Sequence, residues 1–412
     1  MTLLHPLHDP RGSSPSEGHP TDDMPTVPIP ARRVLTVVDA ASRHERIEIK
    51  PPLVRMVRRF ITGGFGLWLR LSTAVVRRLG WYECVEPYVG YGTDDYSRLV
   101  CRTVYGPARH RTGGASRGIR GMMTVPAPRV GVRIAIDDVP VETVQVGTSE
   151  IYDRVDPAAR SDGLSAVSDD AGYLDLVADR RLEPGIHTVS YRVARRRPVK
   201  ASLFTIAPGT GIGVISDVDD TIMVTQAPTV WKAAYNVLLL NPRKRVPVPG
   251  MGALFTKISD LFPEAPFFYL STSPWNVEGS IRHFIADHGY PAGPLLLRDL
   301  DPRPKTFVPT GVQHKLEFAE QLMADFPRMR FILIGDDGQR DPTTYATIAR
   351  RYPGRVLAIA IRQLSPRESR PWGGMSGLAA TQPAPITDVP VFMGTTGANL
   401  ITTMLPYLRQ FR

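Results

Sequence analysis

The sequence predicts an α/β protein: a doubly wound domain on a parallel sheet, preceded by a smaller β-sandwich-like module. Three observations carry this. In the second half, the apolar runs Ile212-Gly213-Val214-Ile215, Phe267-Phe268-Tyr269-Leu270 and Phe331-Ile332-Leu333-Ile334 end abruptly in acids or hydroxyls, as buried parallel strands do. In the first half, runs such as Val130 to Ile136 and Val189 to Val193 alternate apolar with polar residues, and turn residues such as Asp169-Asp170-Ala171-Gly172 and Glu183-Pro184-Gly185 separate them. A chain of 412 residues also exceeds one ordinary core, so more than one folded part is expected.

Residues 1–48 are expected to be largely disordered, because Pro10, Pro15, Pro20, Pro25, Pro28 and Pro30 lie among Ser, Gly and Asp with little apolar surface to bury. The segment lacks the basic start and continuous apolar core of a secretory signal. Residues 49–80 form a basic amphipathic stretch. Leu53, Met56, Phe60, Trp68, Leu71 and Val75 alternate there with Arg55, Arg58, Arg59, Arg70, Arg77 and Arg78. A membrane-crossing helix needs about twenty mostly apolar residues; the arginines and Gly63-Gly64 interrupt this run, so two short surface helices are expected. Their partner is either an anionic bilayer or the chain's own β-rich module, over 81–208. Residues 209–412 make up the α/β domain.

The net charge of +10 and pI near 9.7 favour an anionic partner. No nucleic-acid-binding signature accompanies the short clusters Arg195-Arg196-Arg197 and Arg243-Lys244-Arg245, so nucleic acid is not expected. Cys84 and Cys101 are too few for a disulfide framework or a cysteine-based zinc site, although one bridge between them stays open. A reducing, cytoplasmic setting follows, peripheral at the inner membrane face if residues 49–80 dock there.

The chemistry is concentrated at strand ends. Asp217-Val218-Asp219-Asp220-Thr221 follows the first apolar run, and ligands of open α/β sheets bind beyond the carboxyl ends of the strands. Asp217 is placed to attack phosphorus as a carboxylate. Asp219, two residues on, is placed to give a proton to the leaving oxygen and then take one from water. Thr221 steadies the loop or the phosphoryl group. Asp-rich turns also serve as simple caps, so the downstream elements decide. Ser271 and Ser273 end the second run with hydroxyls; Lys315 opens a helical stretch to Phe326, with Leu316, Ala319, Leu322 and Met323 on one face; Gly335-Asp336-Asp337-Gly338-Gln339-Arg340-Asp341 ends the third. An all-oxygen set of carboxylates suits Mg2+, with Asp217 and Asp336 as first ligands and Asp337 or Asp341 acting through water. Lys315 offsets the charge. Trp275, directly after the hydroxyls, is the aromatic most suited to meet substrate.

In this order the motifs DxDxT, Ser271, Lys315 and GDxxxxD resemble those of the haloacid-dehalogenase-like phosphohydrolases. More narrowly, GVISDVDDTI, FFYLSTSPWN, HKLEFAEQL and FILIGDDGQRDPTTY are similar to the catalytic domain of the actin-patch type of phosphatidate phosphatase, over roughly the last half of the chain. The resemblance implies a haloacid-dehalogenase-type phosphatase domain, and the stretch Met223 to Ala265 between the first two motifs is too short for more than a small cap. It implies Mg2+-dependent conversion of phosphatidate to diacylglycerol and phosphate through an aspartyl-phosphate, with the Asp219 backbone carbonyl as a further metal ligand. Fold alone does not fix substrate. Two alternatives stand beside it: a phosphatase of the same mechanism acting on a soluble phosphomonoester or phosphoprotein, and an inactive membrane-binding scaffold.

Overall fold

The computed structural model describes Leu67 and residues 71–106, 125–147, 151–154, 164–168, 172–224, 245–298, 311–338, 340–365 and 388–412. The expected disordered segment 1–48 and most of the basic stretch lie outside the described residues.

Among the described residues, eleven strands precede the strand that ends at Asp217: β1 (Tyr82–Pro87), β2 (Gly90–Thr93), β3 (Ser97–Gly106), β4 (Val125–Pro126), β5 (Val130–Ile136), β6 (Val139–Val146), β7 (Ile151–Arg154), β8 (Leu164–Ser168), β9 (Tyr173–Ala178), β10 (Gly185–Val193) and β11 (Val199–Ile206). The β5–β6 hairpin follows from its sequence. Val130, Val132, Ile134 and Ile136 alternate inward, and Asp137 and Asp138 close the turn at φ 48° and 64°, a left-handed pair that Asp tolerates and that suits strand twist. The strands join in one hydrogen-bonded sheet, ordered β6-β5-β10-β11-β2-β3-β9-β8-β7 with β1 and β4 on β3, rather than the two sheets of a sandwich. Pairing is antiparallel except where β11 runs parallel to β2. β6 and β9, distant in that order, approach one another, so the sheet curls around its own core of Leu99, Val132, Ile134, Leu174, Leu176, Val189 and Leu203. Cys84 on β1 faces Val104, Cys101 faces Pro87, and both thiols are free; the open possibility of a bridge is thereby removed.

The second part is a parallel sheet of β12 (Ile212–Asp217), β15 (Phe267–Pro274), β16 (Leu295–Arg298), β17 (Arg330–Asp336), β18 (Val356–Arg362) and β19 (Val391–Gly394), in the order β16-β15-β12-β17-β18-β19. A two-stranded flap, β13 (Met223–Val224) with β14 (Val246–Pro247), stands beyond β12. The helices among the described residues here are α1 (Met251–Leu261), α2 (Glu278–Asp287), α3 (Gly311–Asp325), α4 (Asp341–Arg351) and α5 (Gly397–Leu408). Alternate residues of the strands feed two cores. Val214, Tyr269, Ile332 and Ile334 meet α1, α2 and α5, whereas Ile215, Phe268, Leu333 and Ile359 meet α3 and α4. Helices therefore cover both faces, and every residue of β12 is buried. The chain leaves β12 toward β15 and β16, then returns to its other side at β17. That reversal leaves a crevice beyond the carboxyl end of β12, the usual ligand position in such sheets.

Candidate active site

Asp217 ends β12, Asp336 ends β17 and Asp341 begins α4; the register of the parallel pairs brings these tips together. Carboxylate oxygens of the three lie within 4.8 Å of one another, and all three residues are buried. Gly335 makes this possible. A Cβ there would collide with the Asp341 side chain and stand 2.7 Å from the Tyr345 ring. Asp341 Oδ2 accepts from the Asp336 backbone N–H at 3.2 Å, and Asp336 Oδ1 accepts from Gly338 N–H at 2.7 Å.

Lys315 enters from the second turn of α3. The helix begins at Gly311, four residues before the start expected from periodicity. Its Nζ lies 2.8 Å from Asp217 Oδ1 and 2.5 Å from Asp341 Oδ1. Burial alone would push this ammonium toward neutrality, but Asp217, Asp341 and Asp336 outweigh it and hold Lys315 above its ordinary pKa. The acids are raised as well, which for them favours the neutral form. Burial, only partly opposed by Lys315, pushes Asp217 up to about 7, and burial together with the Asp341 and Asp217 carboxylates raises Asp336 well above the ordinary carboxylate range. Three buried carboxylates with one lysine leave an excess of negative charge, and every ligand atom on offer is oxygen. This donor set fits a hard divalent cation such as Mg2+.

Asp219 is held apart from that cluster. Its Oδ2 accepts from Ser271 Oγ at 2.7 Å and from Ser273 Oγ at 3.1 Å, while Ser271 Oγ also accepts from Ser273 N–H at 2.9 Å. Burial and the charge of Asp217 raise its pKa, which favours the protonated form that an acid catalyst needs. Thr221 donates to Asp217 Oδ2 at 3.2 Å, fixing the carboxylate that points into the crevice.

Two expected residues sit elsewhere. Asp337 is exposed, and its Oδ1 accepts from Leu364 N–H at 2.8 Å, tying down the loop instead of joining the carboxylates. Trp275 is only 8% exposed and stacks on Tyr88 with centroids 4.7 Å apart, so its ring meets the β-rich module and not substrate. Three residues escaped sequence reasoning. Arg362, buried at the end of β18, donates to the Asp220 carbonyl at 2.7 Å, where the turn passes through φ 56°. Arg245, buried at the base of the flap, has its pKa lowered by that burial, with Asp219 opposing the shift. Tyr345 donates to the Ile334 carbonyl at 2.9 Å beneath Asp341. A basic residue closing an apolar strand run was the one signal available, for Arg362.

Residues 212–363 match the family described as "Phosphatidate phosphatase APP1, catalytic domain". Among curated relatives, Phosphatidate phosphatase APP1 of Saccharomyces cerevisiae is 29% identical over 153 residues, covering 37% of this chain and 26% of that protein. Uncharacterized protein C29B5.04c of Schizosaccharomyces pombe is 26% identical over 155 residues, covering 37% and 25%. The chain thus spans about a quarter of the length of the curated relatives it matches. The aligned span contains every residue of the carboxylate, hydroxyl and lysine set. Among solved structures, tandem Ig repeats of Dlar align with a TM-score of 0.16 at 10% identity, over 34% of this chain and 61% of that one, too slight a likeness to specify a fold.

Proposed function

We propose that this chain is a Mg2+-dependent phosphatidate phosphatase with a haloacid-dehalogenase-type catalytic domain and a small cap. Phosphatidate would be cleaved to diacylglycerol and phosphate. The observation that carries the reading is the division of labour between two acids two residues apart: Asp217 held by Lys315, Asp219 held by Ser271. It is supported by the match of residues 212–363 to the phosphatidate phosphatase catalytic domain.

In this reading an Asp217 oxygen attacks phosphorus and the bond to the glycerol oxygen breaks, while Asp219 gives its proton to that oxygen. Water then attacks the aspartyl-phosphate as Asp219 takes a proton back, releasing phosphate and restoring the Asp217 carboxylate. Ser271 and Ser273 orient Asp219 for both transfers, and Thr221 and Lys315 hold Asp217. Asp217, Asp336 and Asp341 would hold the Mg2+, with the Asp219 carbonyl adjoining; once bound, the ion supplies charge neutralisation and polarisation of a phosphoryl oxygen.

A lipid substrate calls for a membrane-facing surface. Leu67 and residues 71–78 are helical, and Leu67, Leu71, Val75 and Leu79, spaced by four, are 59%, 59%, 55% and 65% exposed while Val76 is buried toward the β-rich module. Arg77 and Arg78 are exposed beside this stripe. An apolar stripe flanked by arginines suits an anionic bilayer. None of the described helices is long and apolar enough to cross a membrane.

The test is phosphate release from phosphatidate in vesicles, glycerol 3-phosphate and a phosphoserine peptide, with and without Mg2+, using Asp217→Asn as the control. Turnover of phosphatidate that requires Mg2+ and is lost in Asp217→Asn is expected. Release from the soluble esters alone would move the substrate to that class, and release from none would leave a binding scaffold.

A further inference from the structure

Among the described residues, the β-rich module meets the catalytic part at Tyr88 and at Tyr91, and each contact lies on or directly beside an element that carries a site residue. Tyr88, just past β1, is buried among the residues of the catalytic core and not those of the β core. Its backbone N–H donates to Val100 O at 3.1 Å, so β3 fixes its position. Its ring stacks on Trp275 at 4.7 Å and on Tyr173 at 6.5 Å, and the Arg102 guanidinium lies 4.6 Å from the Tyr173 centroid. Trp275 is two residues beyond Ser273. This column of rings and a cation therefore ends at the segment whose hydroxyls grip Asp219.

The second contact is on the opposite face of the parallel sheet. Tyr91, on β2, meets Phe268 edge-on at 5.9 Å and donates its hydroxyl to Asp325 Oδ2 at 2.8 Å. Arg98 Nη1 donates to the same hydroxyl at 3.3 Å, and the guanidinium is locked to Asp175 by bonds of 2.9 and 2.5 Å. Asp325 is the last residue of α3, whose second turn carries Lys315. Buried charged groups bonded at this density hold one geometry, because any shift leaves a partner unsatisfied in a medium that cannot replace it.

We propose that the β-rich module is a working part of the catalytic apparatus: Tyr88 and Tyr91 are positioning residues that fix, respectively, the Ser271–Trp275 segment over Asp219 and the Lys315 helix over Asp217. The inference rests on the function proposed above for those four groups. It makes the catalytic half dependent on the module for its geometry, through contacts some distance from any reacting atom.

The experiment uses the full chain with Tyr88→Leu, which fills the space without the stack, Tyr88→Phe, which keeps it, and Tyr91→Phe. Hydrogen exchange is followed over residues 271–277, 311–325 and, as the fold control, β5 and β6; kcat and KM are measured on p-nitrophenyl phosphate. Tyr88→Leu should exchange at least tenfold faster over 271–277 and lose at least tenfold in kcat with KM within twofold, and Tyr88→Phe should restore both. Tyr91→Phe should speed exchange over 311–325 and lower kcat. Exchange within twofold of wild type at both segments overturns the proposal. So does loss of protection that spreads to β5 and β6, which would make these ordinary fold residues. A wild-type chain that hydrolyses no phosphomonoester would remove the functional reading, while the exchange comparison still decides whether the module holds the two segments.

Discussion

Lys315 Nζ and Asp217 Oδ1 lie 2.8 Å apart, and both side chains are almost wholly buried. A buried pair of this kind is costly to leave half made. Here the lysine must also serve Asp341, so it cannot neutralise the whole cluster. The remaining charge is the physical reason to expect a cation, and it gives the first prediction. Mg2+ should raise the thermal midpoint of the wild-type chain, by linkage worth about 3 kcal/mol at a hundredfold excess over Kd. Asp336→Ala should lose that rise together with activity. A midpoint indifferent to Mg2+ and to chelator in the wild type would sink the site.

Ser271 supplies the next. Removing its hydroxyl leaves Asp219 buried with Ser273 as its remaining hydroxyl donor from β15. Ser271→Ala should reduce kcat about 10- to 100-fold, and Asp219→Asn about 10²- to 10⁴-fold, the usual reach of general acid catalysis. Steady-state rates on a soluble phosphoester check both. A Ser271→Ala enzyme as fast as wild type would show that the hydroxyl does not orient the acid.

Much of this site was legible in the chain because strand tips announce themselves: an apolar run stops and a carboxylate or hydroxyl follows, as at Asp217, Ser271 and Asp336. Helical periodicity found α3 through Leu316, Ala319 and Leu322 but missed its first turn, which carries little apolar pattern. Arg362, Arg245 and Tyr345 were missed because what makes them matter is contact across the fold, such as the bond from Arg362 to a carbonyl 142 residues earlier. Trp275 was misread for the same reason. An aromatic beside a hydroxyl motif looks available to substrate until Tyr88, from the other module, is seen covering it. The single curled sheet also escaped, since alternation fixes which face of a strand is buried and not which strand pairs with which.

Glu278, the first residue of α2, is buried beside this joint. Burial raises its carboxyl to about 7, Arg282 opposes the shift from 3.4 Å, and Glu86 adds to it. A folded-state pKa above the unfolded one means that the fold prefers the protonated acid. Stability from this group is therefore full below the unfolded value and is lost as pH rises from about 4.5 to about 7. Glu278→Gln keeps the shape without the titration. Its thermal midpoint relative to wild type should climb across that window, reaching a gain of a few degrees at pH 7.5. Melting curves at pH 5, 6, 7 and 7.5 test this; a difference that stays constant with pH would mean that Glu278 does not titrate there.

The last prediction concerns the exposed helix. If Leu71 and Val75 enter a bilayer while Arg77 and Arg78 meet its anionic headgroups, apolar burial and charge act together, each arginine near the surface contributing on the order of 1 kcal/mol and less as salt rises. Leu71→Asp with Val75→Asp should cut binding to vesicles containing phosphatidate at least tenfold, and Arg77→Gln with Arg78→Gln should cut it most at low salt. Both variants should slow hydrolysis of phosphatidate in vesicles and keep the wild-type rate on p-nitrophenyl phosphate, because neither pair touches the strand tips that carry the chemistry. Vesicle sedimentation at two salt concentrations separates the two contributions. Equal losses on the vesicle and soluble substrates would make the helix a structural element of the β-rich module. Vesicle binding unchanged at low salt would remove the docking role, and a lipid substrate would then have to reach the crevice without help from this surface.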